Sequence, residues 1–539
     1  MRRLFCVLHL FLFALSFSQE LVLVKFKDKP SASYYFSAPT EMLTQKALDR
    51  RIKYNIPLSD TDVPVQADYV TAVKNLNIPV IAVSKWFNGV FAEISDVQRT
   101  ELLSLGCVQG IESFVKNLTN FKTTDPEFIS SEFKNSSVYT DTQIEQIGLN
   151  HLHDLGYTGE NVTIAIIDAG FPGVDTVPAF DYIRTNNQIK GGYNFVKGNN
   201  NIYSENNHGT RVLSTIGGNI PGQYKGTAID ADFYLFITET NDVEIPQEEV
   251  WWIAAAERAD SLGVDIINTS LGYTMFDDPR YDYSISDLDG KTSFISRGAQ
   301  MAAEKGIFVV VAAGNEGNKP WHKISVPADA EDVFSIGAVT GSGYSAAFSS
   351  YGPSADGRIK PDVSALGQGA LTVNELGIIL SGSGTSFSSP IMAGAIACLV
   401  QAYPNVLPSV IRQKIRESAS LYANPSNQQG YGIPDFNSVL GSLSLDETEA
   451  SSGGLYAYPN PVKDILHIKM FSERAGIVEI QFFAYSGQQV YSEKAKLVSG
   501  ENHISISIPY PVQIYPQLIM KLKTPEGKSI SRKLQFFPN

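Results

Sequence analysis

The sequence predicts an α/β protein built on a doubly wound parallel sheet, with a smaller α/β unit before it and a small all-β sandwich after it. Three observations carry the prediction. Between about residues 140 and 440, apolar β-branched runs alternate with helical segments, which signals a parallel sheet covered on both faces. A polar, aperiodic stretch from about 115 to 137 separates this region from what precedes it. An acidic, Gly/Ser-rich stretch, Asp446 to Gly454, separates it from short alternating runs divided by Pro and Gly turns.

Taken in order, Arg2 and Arg3 give the chain a basic start, Leu4 to Phe17 is almost wholly apolar, and Ser16 and Ser18 supply small residues before Gln19. That is the pattern of a secretory signal over residues 1–18, with an apolar run too short to span a membrane. No later stretch reads as membrane-spanning, so the expected mature protein is exported and has no transmembrane segment. The formal net charge of −14 disfavours nucleic acids and anionic membranes as partners, because both attract basic surfaces. Of three cysteines, Cys6 lies in the leader, so Cys107 and Cys398 allow at most one disulfide.

In the first unit, Leu21–Phe26, Val80–Val83 and Gly89–Ile94 read as strands, and Glu41–Ile52 and Val97–Leu105 as helices. The polar stretch after it reads as an exposed linker. In the central region the predicted strands are Val162–Ile167, Phe233–Ile237, Val264–Asn268, Ile307–Ala312 and Val333–Val339. The predicted helices are Gly209–Gly217, Val250–Ser261, Ser293–Lys305, Ser386–Tyr403 and Pro408–Ser418.

Ligands of such sheets bind beyond the carboxyl ends of the strands. Asp168 directly follows one strand there, and Ala312-Ala-Gly-Asn315 closes another. His208 stands immediately before a helix. Ser386 stands where the Gly/Ser loop Ser381–Thr385 meets a helix, with Pro390 assigned to the first turn, where a missing N–H costs nothing. Orphan N–H groups and the positive end of the helix dipole face Ser386. Attack on a carbonyl needs a hydroxyl, a base for its proton, and a carboxylate to hold the base in the right tautomer. Ser386, His208 and Asp168 supply those three groups, and their chain order is Asp, His, Ser.

Four stretches carry a family resemblance: Ile166-Ile-Asp-Ala-Gly170, His208-Gly-Thr-Arg-Val212, Val311-Ala-Ala-Gly-Asn-Glu-Gly317 and Gly384-Thr-Ser-Phe-Ser-Ser-Pro390. They resemble the signatures of the subtilisin-like serine peptidases (the S8 family), over roughly 140–440. The resemblance implies a subtilisin-like sheet, a catalytic triad of Asp168, His208 and Ser386, and Asn315 as oxyanion donor together with the Ser386 N–H. It also implies that Ser270, Leu271 and Gly272 pair with an extended substrate. Ala312, Ala313 and Gly314 would wall the pocket for the residue before the scissile bond. No cofactor is required by it. Calcium is possible in the family, but the short loop Gly217–Gly226 lacks the acidic and amide cluster of its tight site, so no metal ligands are assigned. The acidic insertion Phe276–Thr292 reads as a solvated loop, without regular ligand spacing.

By the same resemblance, residues 19–130 would be a propeptide and its linker, 131–443 the peptidase domain, and 444–455 a second linker. Residues 456–539 contain Tyr458-Pro-Asn-Pro-Val-Lys-Asp464 and a closing Lys533-Leu-Gln-Phe-Phe537. These resemble the sorting domains of the type IX secretion system of Bacteroidetes. The expected partners are protein or peptide substrates, the chain's own propeptide and that secretion machinery. The expected location is the medium or the cell surface, reached through the periplasm. A serine esterase is disfavoured, because Ser388 breaks the Gly-x-Ser-x-Gly pattern and the triad order is wrong for that class. A catalytically silent binding protein on the same fold is the remaining alternative.

Overall fold

The computed structural model describes residues 19–116, 141–450 and, with short gaps, 455–536. The leader 1–18, nearly all of the polar stretch read as the first linker, and residues 451–454 of the second lie outside the described residues. The chain divides into two compact units, Met1–Val439 and Leu440–Asn539.

The first unit is organised by a seven-stranded sheet. Read across it, the strands are Val363–Leu366, Phe334–Val339, Phe308–Ala312, Ile266–Thr269, Thr163–Asp168, Asp232–Ile237 and Ile189–Asn194. Every neighbouring pair is parallel. Strand order reverses between Thr163–Asp168 and Ile266–Thr269, so a topological switch point opens beside Asp168 and Ser270. Thr163–Asp168 and Phe308–Ala312 are buried along their whole lengths, which explains the apolar runs Ile164–Ile167 and Phe308–Ala312 within them. The edge strands Ile189–Asn194 and Val363–Leu366 are additional to the five predicted.

The helix Thr385–Ala402 packs against four of these strands. It is the one helix among the described residues long and apolar enough to cross a membrane, and it is 89% buried inside the fold. Pro390 is its sixth residue and lies beyond the first turn, contrary to expectation. The helix begins as soon as the strand Ile379–Ser383 ends at Gly384, which moves its start back by one residue.

The N-terminal part, residues 19–116, forms a four-stranded antiparallel sheet ordered Val80–Ser84, Gly89–Ile94, Glu20–Phe26 and Val108–Ser113. One face buries Val22, Val24, Val90 and Leu102 in a core of its own. The other face turns Leu21, Leu23, Phe91 and Phe114 into the same core as the helices Gln247–Leu262 and Phe294–Glu304. Phe114 stacks on Phe294 with ring centroids 3.9 Å apart. Polar anchors flank this contact. Glu257 accepts from the backbone N–H groups of Lys85 (2.9 Å) and Trp86 (3.2 Å), and from the Ser84 hydroxyl.

A second anchor comes from the helix Gln45–Lys53. The Arg51 guanidinium reaches Asp62 (2.9 Å) and Asp260 (2.8 Å), Arg50 reaches Asp260 (2.5 Å), and Lys305 reaches Asp62 (2.9 Å). Burial pushes the Asp260 carboxyl up, but Lys85, Arg50 and Arg51 together hold it below the usual range.

The insertion Phe276–Thr292 is ordered by its own carboxylates rather than left as an open loop. Asp282 accepts from Phe276 N, Asp287 caps Ser284, and Asp289 accepts from Lys291 N and Thr292 N. It also grips the N-terminal part. The Tyr281 hydroxyl accepts from Leu21 N (3.0 Å), and the Arg280 carbonyl accepts from Lys116 N (2.9 Å).

The second unit contains seven strands among its described residues, in sheets of three and four that share one core including Leu466, Ile480, Phe482 and Leu522. These strands are Leu455–Tyr458, Ile465–Ser472, Gly476–Phe483, Gln489–Leu497, Gly500–Ser507, Gln517–Lys523 and Ser529–Gln535. The second linker also differs from expectation. The helix Phe436–Ala450 continues through the segment expected to start a flexible connection, because Glu and Ala there are good helix formers. Cys107 and Cys398 are both free thiols.

Candidate active site

At the switch point the sheet collects the residues singled out by the sequence. Asp168 is the last residue of its strand and is 1% exposed. Its Oδ1 accepts from Ala169 N (2.8 Å) and lies 2.7 Å from His208 Nδ1. The approach depends on glycine. A Cβ at Gly209 would stand 2.4 Å from the Gly170 carbonyl oxygen and 2.7 Å from the Phe171 ring. Only glycine lets the helix His208–Gly217 begin so close to the strand end. The Asn206 side chain accepts from His208 N at 2.9 Å and fixes the turn into that helix.

Ser386 is the second residue of the helix Thr385–Ala402 and is 4% exposed. Its hydroxyl donates to the Ser270 carbonyl at 3.1 Å, and the Ser270 hydroxyl donates to the Ser386 carbonyl at 2.9 Å. Ser270 is held in turn by Asn268 Nδ2 (3.0 Å), and Asn268 Oδ1 accepts from the Ser389 hydroxyl (3.0 Å). Sequence reasoning missed Asn268 and Ser389. An amide inside the strand Ile266–Thr269, where the preceding residues are isoleucines, was the available signal for Asn268.

Asn315 faces Ser386 in a defined orientation. Its Oδ1 accepts from Thr385 N (2.9 Å) and the Thr385 hydroxyl (3.0 Å), and the same hydroxyl accepts from Gly314 N (3.2 Å). With the oxygen so engaged, Nδ2 is the end left to donate. A Cβ at Gly384 would stand 3.7 Å from Asn315 Nδ2 and 3.7 Å from Ser386 N. The missing side chain of Gly384 therefore leaves a space beside two N–H donors.

The expected substrate-contacting residues divide. Ser270 is buried, Leu271 is partly exposed and Gly272 is exposed, as a strip open to an added strand would be. Ala312 and Ala313 lie in the core, and of that trio only Gly314 is partly exposed. Among the described residues no group of three or more His, Cys, Asp or Glu side chains is arranged to hold a metal ion.

A parallel seven-stranded sheet with serine, histidine and buried aspartate at its switch point defines the class of α/β serine hydrolases. The comparisons narrow that class. Residues 159–432 match the subtilase family, peptidase S8. Residues 21–128 match the peptidase S8 propeptide domain of Bacteroidota, and 456–510 match a secretion system C-terminal sorting domain. Subtilisin from Bacillus pumilus is 30% identical over 292 residues, covering 54% of this chain and 94% of that protein. Subtilisin E from Bacillus subtilis (strain 168) is 30% identical over 312 residues, covering 57% of this chain and 72% of that protein. The solved MycP3 protease of the type VII (ESX-3) secretion system is 19% identical with a TM-score of 0.47, covering 58% of this chain and 90% of its own.

The chain belongs to the subtilase family: it is a subtilisin-type serine endopeptidase with an S8 propeptide domain and a C-terminal sorting domain that marks it for export.

Proposed function

We propose that this enzyme hydrolyses peptide bonds of proteins with Ser386 as nucleophile, His208 as proton carrier, Asp168 as its orienting carboxylate and Asn315 as oxyanion donor. The observation that carries the reading is the 2.7 Å contact between His208 Nδ1 and Asp168 Oδ1 at the switch point that also holds Ser386. That contact leaves His208 Nε2 as the nitrogen to work on the serine.

The reaction follows from these positions. The Ser386 hydroxyl leaves the Ser270 carbonyl, passes its proton to His208 and bonds to the substrate carbonyl carbon. The oxygen that becomes negative sits beside Asn315 Nδ2 and Ser386 N, in the space that Gly384 leaves open. Collapse expels the amine half of the substrate, which takes the proton from His208, and leaves an acyl ester on Ser386. Water then repeats the sequence and frees the acid half. The chain supplies nucleophile, base and oxyanion donors itself, so the proposed chemistry uses no cofactor. Ser386→Ala tests the assignment: casein hydrolysis is expected to fall by orders of magnitude with the fold intact.

The other segments receive matching roles. Residues 19 to about 130 act as an intramolecular chaperone and inhibitor that the enzyme removes, since parallel sheets fold slowly through non-local contacts and a docked template would help. If the purified Ser386→Ala protein matured at the same stretch without added protease, self-removal would be wrong. The C-terminal domain is the export address, through the periplasm to the medium or cell surface, and none of the proposed site residues lies beyond Ser389. A chain ending near Asp446 should stay in the periplasm and be active once released. Normal appearance in the medium would refute the address.

A further inference from the structure

Arg211 stands one helical turn from His208 on the same helix, so the two side chains share a face. Its guanidinium carbon lies 4.8 Å from the centroid of the Phe387 ring. Phe387 directly follows Ser386, and its ring centroid is 6.1 Å from that of His208. Arg211 is therefore layered against the residue next to the nucleophile. Gly382 makes room for it, since a Cβ there would stand 2.5 Å from Arg211 Nη2.

The charge is poorly matched where it stands. Arg211 Nε donates to the Thr372 hydroxyl at 3.2 Å, while Nη2 is buried without a partner. No carboxylate oxygen among the described residues forms an ion pair with it, although the chain carries 56 acidic residues against 42 basic ones. The acidic group that acts on it, Glu375, is bonded to Asn207 Nδ2 at 2.6 Å. Elsewhere in this unit other partly buried arginines are paired: Arg412 with Asp332 and Arg416 with Asp362. Nη2 is shut in under Gly382, but the side chain as a whole is only partly buried, so a guanidinium without a carboxylate partner stands beside Phe387 within reach of solvent.

In the reaction proposed above His208 hands its proton to the departing amine, which would put the half of the substrate after the scissile bond on the His208 side of Ser386, where Phe387 and Arg211 stand. Ser270, Gly272 and Gly314 belong to the opposite, acyl half. We propose that Arg211 binds a carboxylate side chain on one of the first two residues after the scissile bond, giving the enzyme a preference for acidic leaving segments. This rests on the triad reading given above.

The test uses the matured enzyme and four internally quenched peptides, their cleaved bond located by mass spectrometry. They carry Glu or Gln at the first or at the second position after that bond. For the parent, kcat/KM for one Glu peptide should exceed that of its Gln partner about tenfold or more, the size of a charge-assisted hydrogen bond. Arg211→Met should bring the ratio close to one, and Arg211→Lys should retain part of it. A parent ratio near one at both positions overturns the proposal without any variant. A lower overall rate in Arg211→Met with an unchanged ratio also overturns it, and leaves Arg211 as a support for Phe387. If Arg211→Met does not fold, the Lys variant and loss of the parent's ratio in high salt decide the matter. Failure here with Ser386→Ala still inactive leaves the triad assignment standing.

Discussion

Ser270 and Ser386 exchange hydrogen bonds: each hydroxyl donates to the other's carbonyl, at 2.9 Å and 3.1 Å. Pro390 is what frees the Ser386 carbonyl for this, since proline has no N–H to return the i→i−4 bond. The helix gives up one internal bond, and the strand segment beside the cleft takes its place. The backbone of the proposed nucleophile is thus tied to Ser270, the first residue of the proposed substrate-pairing strip. Ser270→Ala should leave the Ser386 carbonyl and the Asn268 amide short of a partner. Unfolding in urea should show a loss of about 1–3 kcal/mol, with a matching drop in kcat.

Asp168→Asn keeps the shape of the orienting group and removes its charge. The imidazole would then be held in the wrong tautomer. The fall in kcat should be about 10⁴, the size known for the same change in a serine peptidase of another fold. Steady-state kinetics on a peptide substrate checks this. A loss below tenfold would mean that His208 does not depend on Asp168.

Asn315→Ala removes one donor beside the oxyanion space. The fall in kcat should be about 10²–10³ with KM little changed, a range that comes from a subtilisin and is carried over. Gly384→Ala should produce a loss of the same kind while leaving both donors in the chain, because its Cβ would enter the space 3.7 Å from each, at a backbone φ of +159° that a side chain strains. Equal effects on kcat and KM in both variants would contradict the oxyanion role.

The Arg50, Arg51 and Asp260 cluster predicts how tightly the N-terminal part stays on after cutting. In Ser386→Ala protein nicked between 117 and 140, the two pieces should remain together on gel filtration. Arg51→Ala leaves Asp260 and Asp62 short of a buried partner, and removing one partner of such a network costs about 3–5 kcal/mol. The dissociation constant should rise by about 10²–10⁴. Arg99→Ala, at a more exposed pair with Glu20, should change it by less than tenfold.

Glu249 predicts a pH effect on stability. Burial pushes its carboxyl up to about 7, against the pull of the Tyr283 hydroxyl and Lys116. A raised carboxyl contributes stability that is whole below its unfolded value of 4.5 and is lost as pH climbs through about 7. Glu249→Gln cannot titrate and gives up one acceptor, so it should be the less stable protein at pH 4.5. Its deficit should shrink by up to about 3 kcal/mol by pH 8, read from urea unfolding in the Ser386→Ala background. A deficit that grows with pH would contradict the assignment.

Much of the site was legible because its chemistry sits at element ends. Asp168 closes an apolar strand, and His208 and Ser386 open helices, so local pattern placed all three. Asn315 could be read the same way. What could not be read depends on tertiary approach. Asn268 and Ser389 matter only because strand and helix cross there, and Arg211 only because Gly382 and Phe387 meet it. The edge strand Ile189–Asn194 escaped because Lys190, Gly191 and Gly192 interrupt its apolar period. Pro390 misled in a different way. Local preference puts a proline in a helix's first turn, and its use one step deeper is visible only with Ser270 in place.

The most direct test of the central claim is intact-protein and peptide mass spectrometry after treatment with a sulfonyl fluoride. The account predicts one adduct per mature chain, located on Ser386, appearing in step with the loss of peptidase activity and absent from Ser386→Ala. Full inactivation with the adduct on another residue, or a Ser386→Ala protein that still digests casein at the parent rate, would contradict it.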